Sequence, residues 1–351
     1  MHILTLGTVQ KGGIDSVIQG YIDNGLFDNK KHTRIGSHEG KSKWHDLYLF
    51  ISATFKLLYF CIKEKDLILH CHMSYKGSFF RKLLFIAIAK VFNHKSIVHL
   101  HGSEFKDYYA SSGRLRKKLI LWLIKSIDEF VVLSDSWQRF ILSISSRKTL
   151  VINNYVDIEK KDLKRKTNHI LFLGAFIPRK GIYDLIKAVS KLPDDCHLHI
   201  CGSGENEYVQ ELIDKLNMNA SITNHGWVNI EQKTQLLSEC SVFILPSYNE
   251  GLPMVIIEAM ACEIPIISTP VGGIPEVIIE GETGYLIEPG DIDAITNKLN
   301  YVFESDCQVT RKAKEYYLAH FSSKIVLPKW ECLYFSLLNK ESLLGLSNEQ
   351  K

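Results

Sequence analysis

The chain has 351 residues, which is enough for two domains of ordinary size. Hydrophobic residues make up 46% and charged residues 23%, as is typical of a globular protein. The net charge of +3 conceals an asymmetry, because residues 1–165 carry +12 and residues 166–351 carry −9. We therefore expect two domains with different partners, the basic one preferring an anionic surface such as phosphate-bearing lipid or nucleic acid.

The sequence argues against a membrane span and against a disulfide framework. The longest apolar stretch, residues 47–62, is interrupted by Lys56 and is too short for a comfortable span. The N-terminus predicts a strand and not a signal peptide, since no charged segment precedes it and no small-residue cleavage site follows. The eight cysteines lie far apart without a Cys-x2-Cys pair, which favours reduced cytosolic thiols.

Short β-type runs alternate with helical stretches in the N-terminal half. This alternation predicts an open parallel α/β sheet, whose ligands bind at the carboxyl ends of its strands. The first strand ends before Gly12 and Gly13, where backbone N–H groups could approach a phosphate, although a bare glycine pair is more often a plain turn. The expected strands cover residues 3–6, 67–70, 96–100, 129–133 and 149–152.

Four histidines stand at two expected strand ends, His70 and His72 on one strand and His99 and His101 on the next. Each pair lies on one face of its strand, because side chains repeat every second residue. They could bind zinc. The favoured reading is that one or two line a polar cleft and the others are hydrogen-bonded in the core. His101 is the most interesting of the four, because Gly102 follows and marks the opening of a loop.

Residues 76–95 and 114–125 combine cations with large apolar side chains. Such helices suit an interfacial membrane surface, although each alone is better explained as a core helix with a solvated basic end. Two of them on one basic domain favour a membrane-facing surface over nucleic acid, for which no motif is recognisable. The expected lipid-facing cations are Arg81, Lys82, Arg114, Arg116, Lys117 and Lys118.

A polar, charged segment at residues 153–168 predicts a linker, after which a second series of strands and glycine loops begins. Arg179 and Lys180 follow the first of these strands, and paired cations at a helix start suit a diphosphate, a solvated loop being the alternative. The Gly202–Gly204 loop is not a dinucleotide fingerprint, because Glu207 occupies the place of the third glycine.

The stretch 242–261 predicts a buried strand, a loop and a helix, with Glu250 in the loop and Glu258 in the helix. The helix dipole favours an anion such as phosphate at this position. Two carboxylates placed here should therefore bind something other than phosphate alone, and sugar hydroxyls are suitable partners. The Asp291-x-Asp293 pair could bind a metal, but its position before a helix favours an N-cap. The tail 311–338 predicts an amphipathic helix with a break or kink at Pro328.

These motifs together resemble the family 4 glycosyltransferases, retaining enzymes with the GT-B fold of two Rossmann-like doubly wound parallel-sheet domains facing a cleft. The resemblance covers nearly the whole chain and is strongest over residues 169–295. It implies an acceptor-binding domain over residues 1–160, a donor-binding domain over residues 161–310 and a helical tail over residues 311–351 that packs back towards the first domain. The motifs are Gly12–Gly13, His101–Gly102, Gly174 with 179–181, Gly202-x-Gly204, 246–258, 272–276 and 284–286.

The resemblance also implies the site residues, with His101, Lys180 and Glu250 as the catalytic set. Glu258 should hold the ribose hydroxyls, Glu250 should lie near the donor sugar or its phosphate, and His101 beside the transferred sugar. Lys180 with Arg179 should neutralise the diphosphate, approached from the other domain by Gly12 and Gly13. The remaining donor contacts are expected from Gly202, Val228, Gly251, Leu252, Pro253 and Met254. Many members carry Arg where this chain has Ala175, so that phosphate contact is lost or supplied by Arg179.

The implied reaction is retaining transfer of a hexosyl or N-acetylhexosaminyl group from a nucleotide-diphosphate sugar, UDP-linked first and GDP-mannose second. The acceptor would be a lipid-linked glycan of O-antigen, capsule or lipopolysaccharide synthesis, at the inner face of the cell membrane. Fixed cations stabilise the departing diphosphate, so neither a divalent metal nor another cofactor is expected. The leaving phosphate, and not Glu250, would take the acceptor's proton. The alternatives are a sugar-nucleotide epimerase, a phosphorylase or a non-catalytic sugar-nucleotide-binding protein.

Overall fold

The computed structural model describes residues 1–10, 12–305 and 308–339, and the chain divides into two compact units. The first unit comprises Met1–Asn154 and the segment that begins at Ser323, and the second is Tyr155–Ser322. These divisions differ from the expected boundaries at residues 160 and 310. The first difference arises because residues 155–158, in the expected linker, already belong to the second unit, where Val156 and Ile158 join the hydrophobic core and Val156 N donates to Phe321 O at 3.1 Å. Farther along the expected linker, the Arg165 guanidinium donates to the carbonyl oxygens of Leu237, Cys240, Cys262 and Glu263.

The first unit is built on a six-stranded parallel sheet with strand order β2-β1-β3-β4-β5-β6. The sequence did not predict β2, because this edge strand is polar and only its Ile35 is a buried apolar residue. The elements are β1 His2–Gly7, α1 Gly13–Asp23, β2 Lys31–Gly36, α2 Lys43–Lys63, β3 Leu67–Met73, α3 Gly77–Val91, β4 Lys95–Leu100, α4 Phe105–Ala110, α5 Arg114–Ser126, β5 Glu129–Val132, α6 Asp135–Ser145 and β6 Leu150–Val151.

The second unit repeats this plan with a six-stranded parallel sheet of order β12-β11-β10-β7-β8-β9. Its central strands are buried on both faces, which explains their continuous apolar sequence. The elements are β7 His169–Leu173, α7 Ile182–Val189, β8 His197–Cys201, α8 Asn206–Lys215, β9 Ile222–Gly226, α9 Ile230–Glu239, β10 Val242–Leu245, α10 Met254–Ala261, β11 Ile266–Ser268, β12 Tyr285–Leu286, α11 Ile292–Glu304 and α12 Val309–His320.

A last helix, α13 Ser323–Asn339, returns to the first unit. Its Trp330 and Tyr334 are fully buried there, and Tyr334 Oη hydrogen-bonds His70 Nδ1 at 2.8 Å. The helix does not break at Pro328, where the sequence predicted a break or a kink. The final residues of the expected tail, 340–351, lie outside the described residues.

The predicted basic surface is only partly present. Arg114, Arg116 and Lys118 are exposed, but Lys82 is 2% exposed and donates to Ser37 Oγ at 3.1 Å. Burial lowers the pKa of Lys82 to about 8. Lys82 therefore belongs to the interior of the unit, and its assignment to a lipid-facing surface is wrong.

Two other expectations concern membranes and thiols. By length and composition α2 could cross a membrane, so the estimate that its apolar stretch is too short is wrong on that criterion. The seven cysteines within the described residues are all free, and six of them are buried. This agrees with the prediction of reduced thiols.

Candidate donor site

In the second unit, the loops that follow the neighbouring strands β7 and β10 are locked together. Gly181 has a φ of +72°, and a Cβ at this position would lie 2.0 Å from the carbonyl oxygen of Pro246. Tyr248 N donates to Arg179 O at 2.8 Å, and Arg179 Nη1 donates to Asn249 O at 2.7 Å. Only glycine combines this backbone conformation with so close an approach. The glycine therefore brings the loop of residues 174–181, which carries Arg179 and Lys180 (the cationic loop), against the loop of residues 246–253, which carries Glu250 (the carboxylate loop).

Glu250 lies at the centre of this contact. Lys180 Nζ donates to Glu250 Oε1 at 2.5 Å, Ser247 Oγ donates to the same oxygen at 2.7 Å, and Arg179 Nη1 lies 3.9 Å from Oε2. The carboxylate is 6% exposed, so it depends on these partners for its charge. The structure thus brings the three predicted charged groups Arg179, Lys180 and Glu250 together.

A second glycine pair supports the carboxylate loop from the β11 side. Gly272 has a φ of +60°, and a Cβ there would lie 1.8 Å from Glu250 O. Gly273 N donates to Gly251 O at 2.6 Å. These contacts position the backbone of residues 250–254, which leads through Pro253 into the first turn of α10, where N–H groups lack intrahelical partners.

Glu258 lies in α10 and is 7% exposed. Lys233 Nζ, from α9, donates to its Oε1 at 2.5 Å. Glu258 Oε2 is buried and has no hydrogen-bond partner among the described residues. One oxygen is therefore fixed by a cation, while the other is left for an incoming hydrogen-bond donor. Lys233 was not predicted, because nothing in the polar sequence of α9 distinguishes it from its neighbours.

The other predicted donor-site residues of this unit line further strand ends. Gly202 follows β8 with a φ of +155°, and a Cβ there would lie 1.9 Å from Gly174 O, so the β8 loop presses on the β7 loop. Val228 follows β9 and packs partly against the hydrophobic core, beside the exposed Trp227. Ala175 is exposed and offers no cation, while Arg179 is engaged with Asn249.

Gly12, Gly13 and His101 lie in the first unit. Gly12 is the N-cap of α1, and a Cβ on either glycine would meet nothing within 4 Å, so this backbone is open to an approaching group. His101 follows β4, and its Nε2 lies 2.9 Å from His72 Nδ1, so one of the two nitrogens donates to the other. Burial lowers the pKa of His101 to about 3, which keeps its imidazole neutral at pH 7.

The four histidines form one cluster, and His70, His72 and His99 have side-chain nitrogens within 4.8 Å of one another. The rings of His70 and His72 are stacked with centroids 4.4 Å apart and planes 24° apart. His70 Nδ1 forms a hydrogen bond with Tyr334 Oη, and His72 Nδ1 forms one with His101 Nε2. The hydrogen-bonded core interpretation therefore fits His70, His72 and His101, but neither ring nitrogen of His99 has a partner among the described residues. The Asp291 side chain accepts from Ala294 N, which confirms the predicted N-cap.

Residues 155–317 match the family described as glycosyl transferases group 1. The match covers nearly the whole of the second unit, Tyr155–Ser322. The resemblance to glycosyltransferases that the motifs indicated is thereby confirmed, and it falls on the unit that carries Lys180, Glu250 and Glu258. An uncharacterised glycosyltransferase of Methanocaldococcus jannaschii is 32% identical over 212 residues, 59% of this chain and 59% of that protein.

The capsular polysaccharide biosynthesis glycosyltransferase CapM of Staphylococcus aureus is 27% identical over 246 residues, 67% of this chain and 63% of CapM. The alignments thus span about three fifths of these two relatives. Sucrose-phosphate synthase from Thermosynechococcus elongatus superposes with a TM-score of 0.81 at 18% identity, over 97% of this chain and 100% of that one. Anabaena HepE, in complex with UDP and glucose, gives 0.74 at 18% identity, over 96% and 100%. These similarities confirm the predicted GT-B fold class with its two Rossmann-like domains.

Proposed function

We propose that the protein is a retaining glycosyltransferase that moves a hexosyl or N-acetylhexosaminyl group from a nucleotide-diphosphate sugar to a lipid-linked glycan. The observation that carries this proposal is the buried Glu258 carboxylate, whose Oε2 lacks a partner among the described residues. A buried acceptor without a donor costs free energy, and the vicinal hydroxyls of a ribose would satisfy it. Lys233 holds the other oxygen, so the carboxylate is already oriented for this contact.

The cations of the neighbouring loop supply the electrostatic part of the reaction. As the sugar leaves, negative charge develops on the diphosphate, and Lys180 and Arg179 are fixed where such charge would be stabilised. The departing phosphate oxygen takes the acceptor's proton. Glu250, which is held by Lys180 and Ser247, orients the site and does not act as a nucleophile. In this scheme the charge is carried by side chains, so the reaction proceeds without a divalent metal.

UDP-sugars are the first candidates for the donor and GDP-mannose is the second. Support comes from the fold similarity to HepE, which was crystallised with UDP and glucose. The proposed acceptor class, a lipid-linked intermediate of capsule, O-antigen or lipopolysaccharide assembly, is supported by the similarity to CapM, whose name places it in capsular polysaccharide synthesis. The six buried free cysteines are consistent with a reducing compartment such as the cytoplasm.

A product assay tests this proposal. The purified protein is incubated with a panel of UDP- and GDP-sugars and lipid-linked acceptors, with and without chelator, and products are identified by mass spectrometry and NMR. We expect transfer with one donor class, retention of the anomeric configuration and activity that survives the chelator. Free sugar released without an acceptor would indicate an epimerase-type enzyme, and donor binding without any product would indicate a non-catalytic protein. An inverted product would contradict the retaining mechanism.

A further inference from the structure

Helix α2 carries an apolar stripe that nothing within the described residues covers. The stripe consists of six large side chains spaced by three or four positions, so they share one helical face. On the opposite face Ala53, Leu57 and Cys61 are 1%, 0% and 4% exposed and belong to the hydrophobic core of the first unit. The stripe residues, with their exposed fractions, are Trp44 (82%), Tyr48 (67%), Ile51 (45%), Phe55 (68%), Tyr59 (54%) and Ile62 (73%).

The apolar surface continues onto α3. Phe50 of α2 packs against Phe85 of α3 with ring centroids 5.6 Å apart. Farther out, Phe80, Leu84 and Val91 of α3 are 46%, 41% and 81% exposed and are again spaced by whole helical turns. Two adjoining helices therefore present large apolar side chains to the same exterior. A contiguous surface of this kind indicates an interaction site, since scattered exposed apolar residues would not align in this way.

Positive charge flanks the stripe. The lysines at positions 43, 56, 63 and 65 are exposed, while the exposed Lys41 forms an ion pair with Glu39. Three nearby acids are already engaged: Glu39 pairs with Lys41 and His45, Asp46 accepts from two backbone N–H groups, and Glu64 pairs with Lys31. Within residues 39–66, Asp66 is the one acid that is largely exposed to solvent. The surroundings of the stripe are therefore complementary to anionic headgroups.

The helix is fixed to its unit at both ends. Ser42 caps its N-terminus by accepting from His45 N, and Asp46 Oδ1 accepts from Glu39 N and Gly40 N at 2.9 Å each. Near the other end His94 Nε2 donates to Cys61 O at 2.9 Å. Crossing a bilayer would require these contacts and the buried face to be given up. A helix of 21 residues, about 30 Å long, can instead lie along a membrane surface.

We propose that α2 docks the protein on an anionic lipid bilayer, with the stripe inserted at the boundary between headgroups and acyl chains. Trp44, Tyr48 and Tyr59 suit that depth, because each combines an apolar ring with a polar tip. The exposed lysines beside the stripe remain at the headgroup level. This assigns lipid contact to α2 and α3 and removes it from the buried Lys82.

Vesicle flotation with the full-length protein tests this proposal. The vesicles contain phosphatidylcholine and phosphatidylglycerol at about 3:1, and the variant carries Trp44→Ser, Phe55→Ser and Ile62→Ser, three positions whose side chains are more than half exposed. We expect the wild type to float, with a blue shift of Trp44 fluorescence that a Trp44→Phe variant loses. The triple variant should bind at least about tenfold more weakly, since each apolar side chain contributes to insertion.

The control variant, Tyr301→Ser with Leu318→Ser, removes side chains of similar exposure, 53% and 51%, from the second unit and should float like the wild type. Lys56→Glu with Lys63→Glu should weaken binding to the anionic vesicles and leave binding to pure phosphatidylcholine vesicles unchanged. Equal flotation of the triple variant and the wild type would overturn the proposal. So would a stripe-dependent dimer that forms without lipid and buries Trp44, because a second copy would then be the occupant. This experiment measures membrane binding, so its outcome does not depend on the result of the donor assay.

Discussion

Lys180 Nζ lies 2.5 Å from Glu250 Oε1, and this ion pair joins the loops that follow the neighbouring strands β7 and β10. The side chains are 15% and 6% exposed, so neither charge is well solvated without the other. The pair fixes a cation at the carboxyl ends of the strands. The two residues can be tested separately, because Lys180 is proposed to stabilise the leaving diphosphate and Glu250 to orient the site.

Replacing Lys180 with alanine should lower turnover by tens- to thousands-fold, in the range seen when a charge-stabilising group is removed. The same change should lower the free energy of unfolding by about 3 kcal/mol, because Glu250 is left buried with less compensation. Lys187→Ala, at an exposed position of α7, is the control and should alter neither quantity. A double variant, Lys180→Met with Glu250→Gln, should recover stability without recovering turnover. Recovery of both would show that Lys180 acts only through folding.

Glu258→Ala should weaken UDP binding by roughly 1–3 kcal/mol, because a charged acceptor of hydrogen bonds is lost. Isothermal titration calorimetry with UDP and with uridine measures this directly, and both ligands should be affected, since the ribose is common to them. Glu211→Ala, at an exposed position of α8, is the matched control. If the variant lost affinity for UDP but kept its affinity for uridine, Glu258 would serve the phosphates and its assignment to the ribose would be wrong.

The sequence predicted the elements that carry this candidate site, because these elements are local. The run 242–261 alternates strand, loop and helix in one continuous segment, and α10 begins and ends within the predicted stretch. Lys180 and Glu250 were both assigned to the donor site, but their pairing was not predicted, since it depends on two loops 70 residues apart. Lys233 contacts Glu258 from a different helix and carries no local signal.

Other errors have equally specific causes. The edge strand β2 has a paired strand on one side and solvent on the other. Its residues are therefore mostly polar, and such a polar sequence is typical of a loop. Lys82 was assigned to the surface because of its charge, yet it shares the buried face of α3 with Phe79, Phe85 and Ile86. Because these residues recur every three or four positions, the helical period of that segment predicts that Lys82 lies on the buried face. The stripe of α2 was overlooked because a helix that is apolar on all sides does not reveal which face lacks a partner.

Gly272→Ala should disrupt the carboxylate loop. A Cβ at this position would lie 1.8 Å from Glu250 O, and the φ of +60° is itself unfavourable for alanine. Gly281→Ala is a close control, because Gly281 has a φ of +71° but a Cβ there would meet nothing within 4 Å. We expect UDP binding to fall at least about tenfold in the first variant and to be unchanged in the second. Equal effects would attribute the loss to backbone conformation alone.

The histidine cluster should make the first unit sensitive to acid. Burial lowers the pKa of His70 to about 3, and burial also holds the pKa values of His72 and His99 well below their ordinary value near 6.5. Between these values the unfolded chain binds more protons than the folded one, so the free energy of unfolding falls as the pH drops below about 6.5. Above that pH the histidines are neutral in both states and exert no such effect.

His99 offers the sharpest test of this mechanism, because neither of its ring nitrogens has a hydrogen-bond partner within the described residues. His99→Leu should therefore make the free energy of unfolding fall less steeply as the pH is lowered from 6 to 4, because it removes an imidazole whose pKa burial lowers in the folded state. Hydrogen exchange of β3 and β4 reports the opening of this unit by itself. Cys71→Ala, which changes packing without removing an imidazole, should lower stability equally at every pH in that range. An unchanged slope in His99→Leu would mean that the cluster is opened or protonated by another route before the unit unfolds.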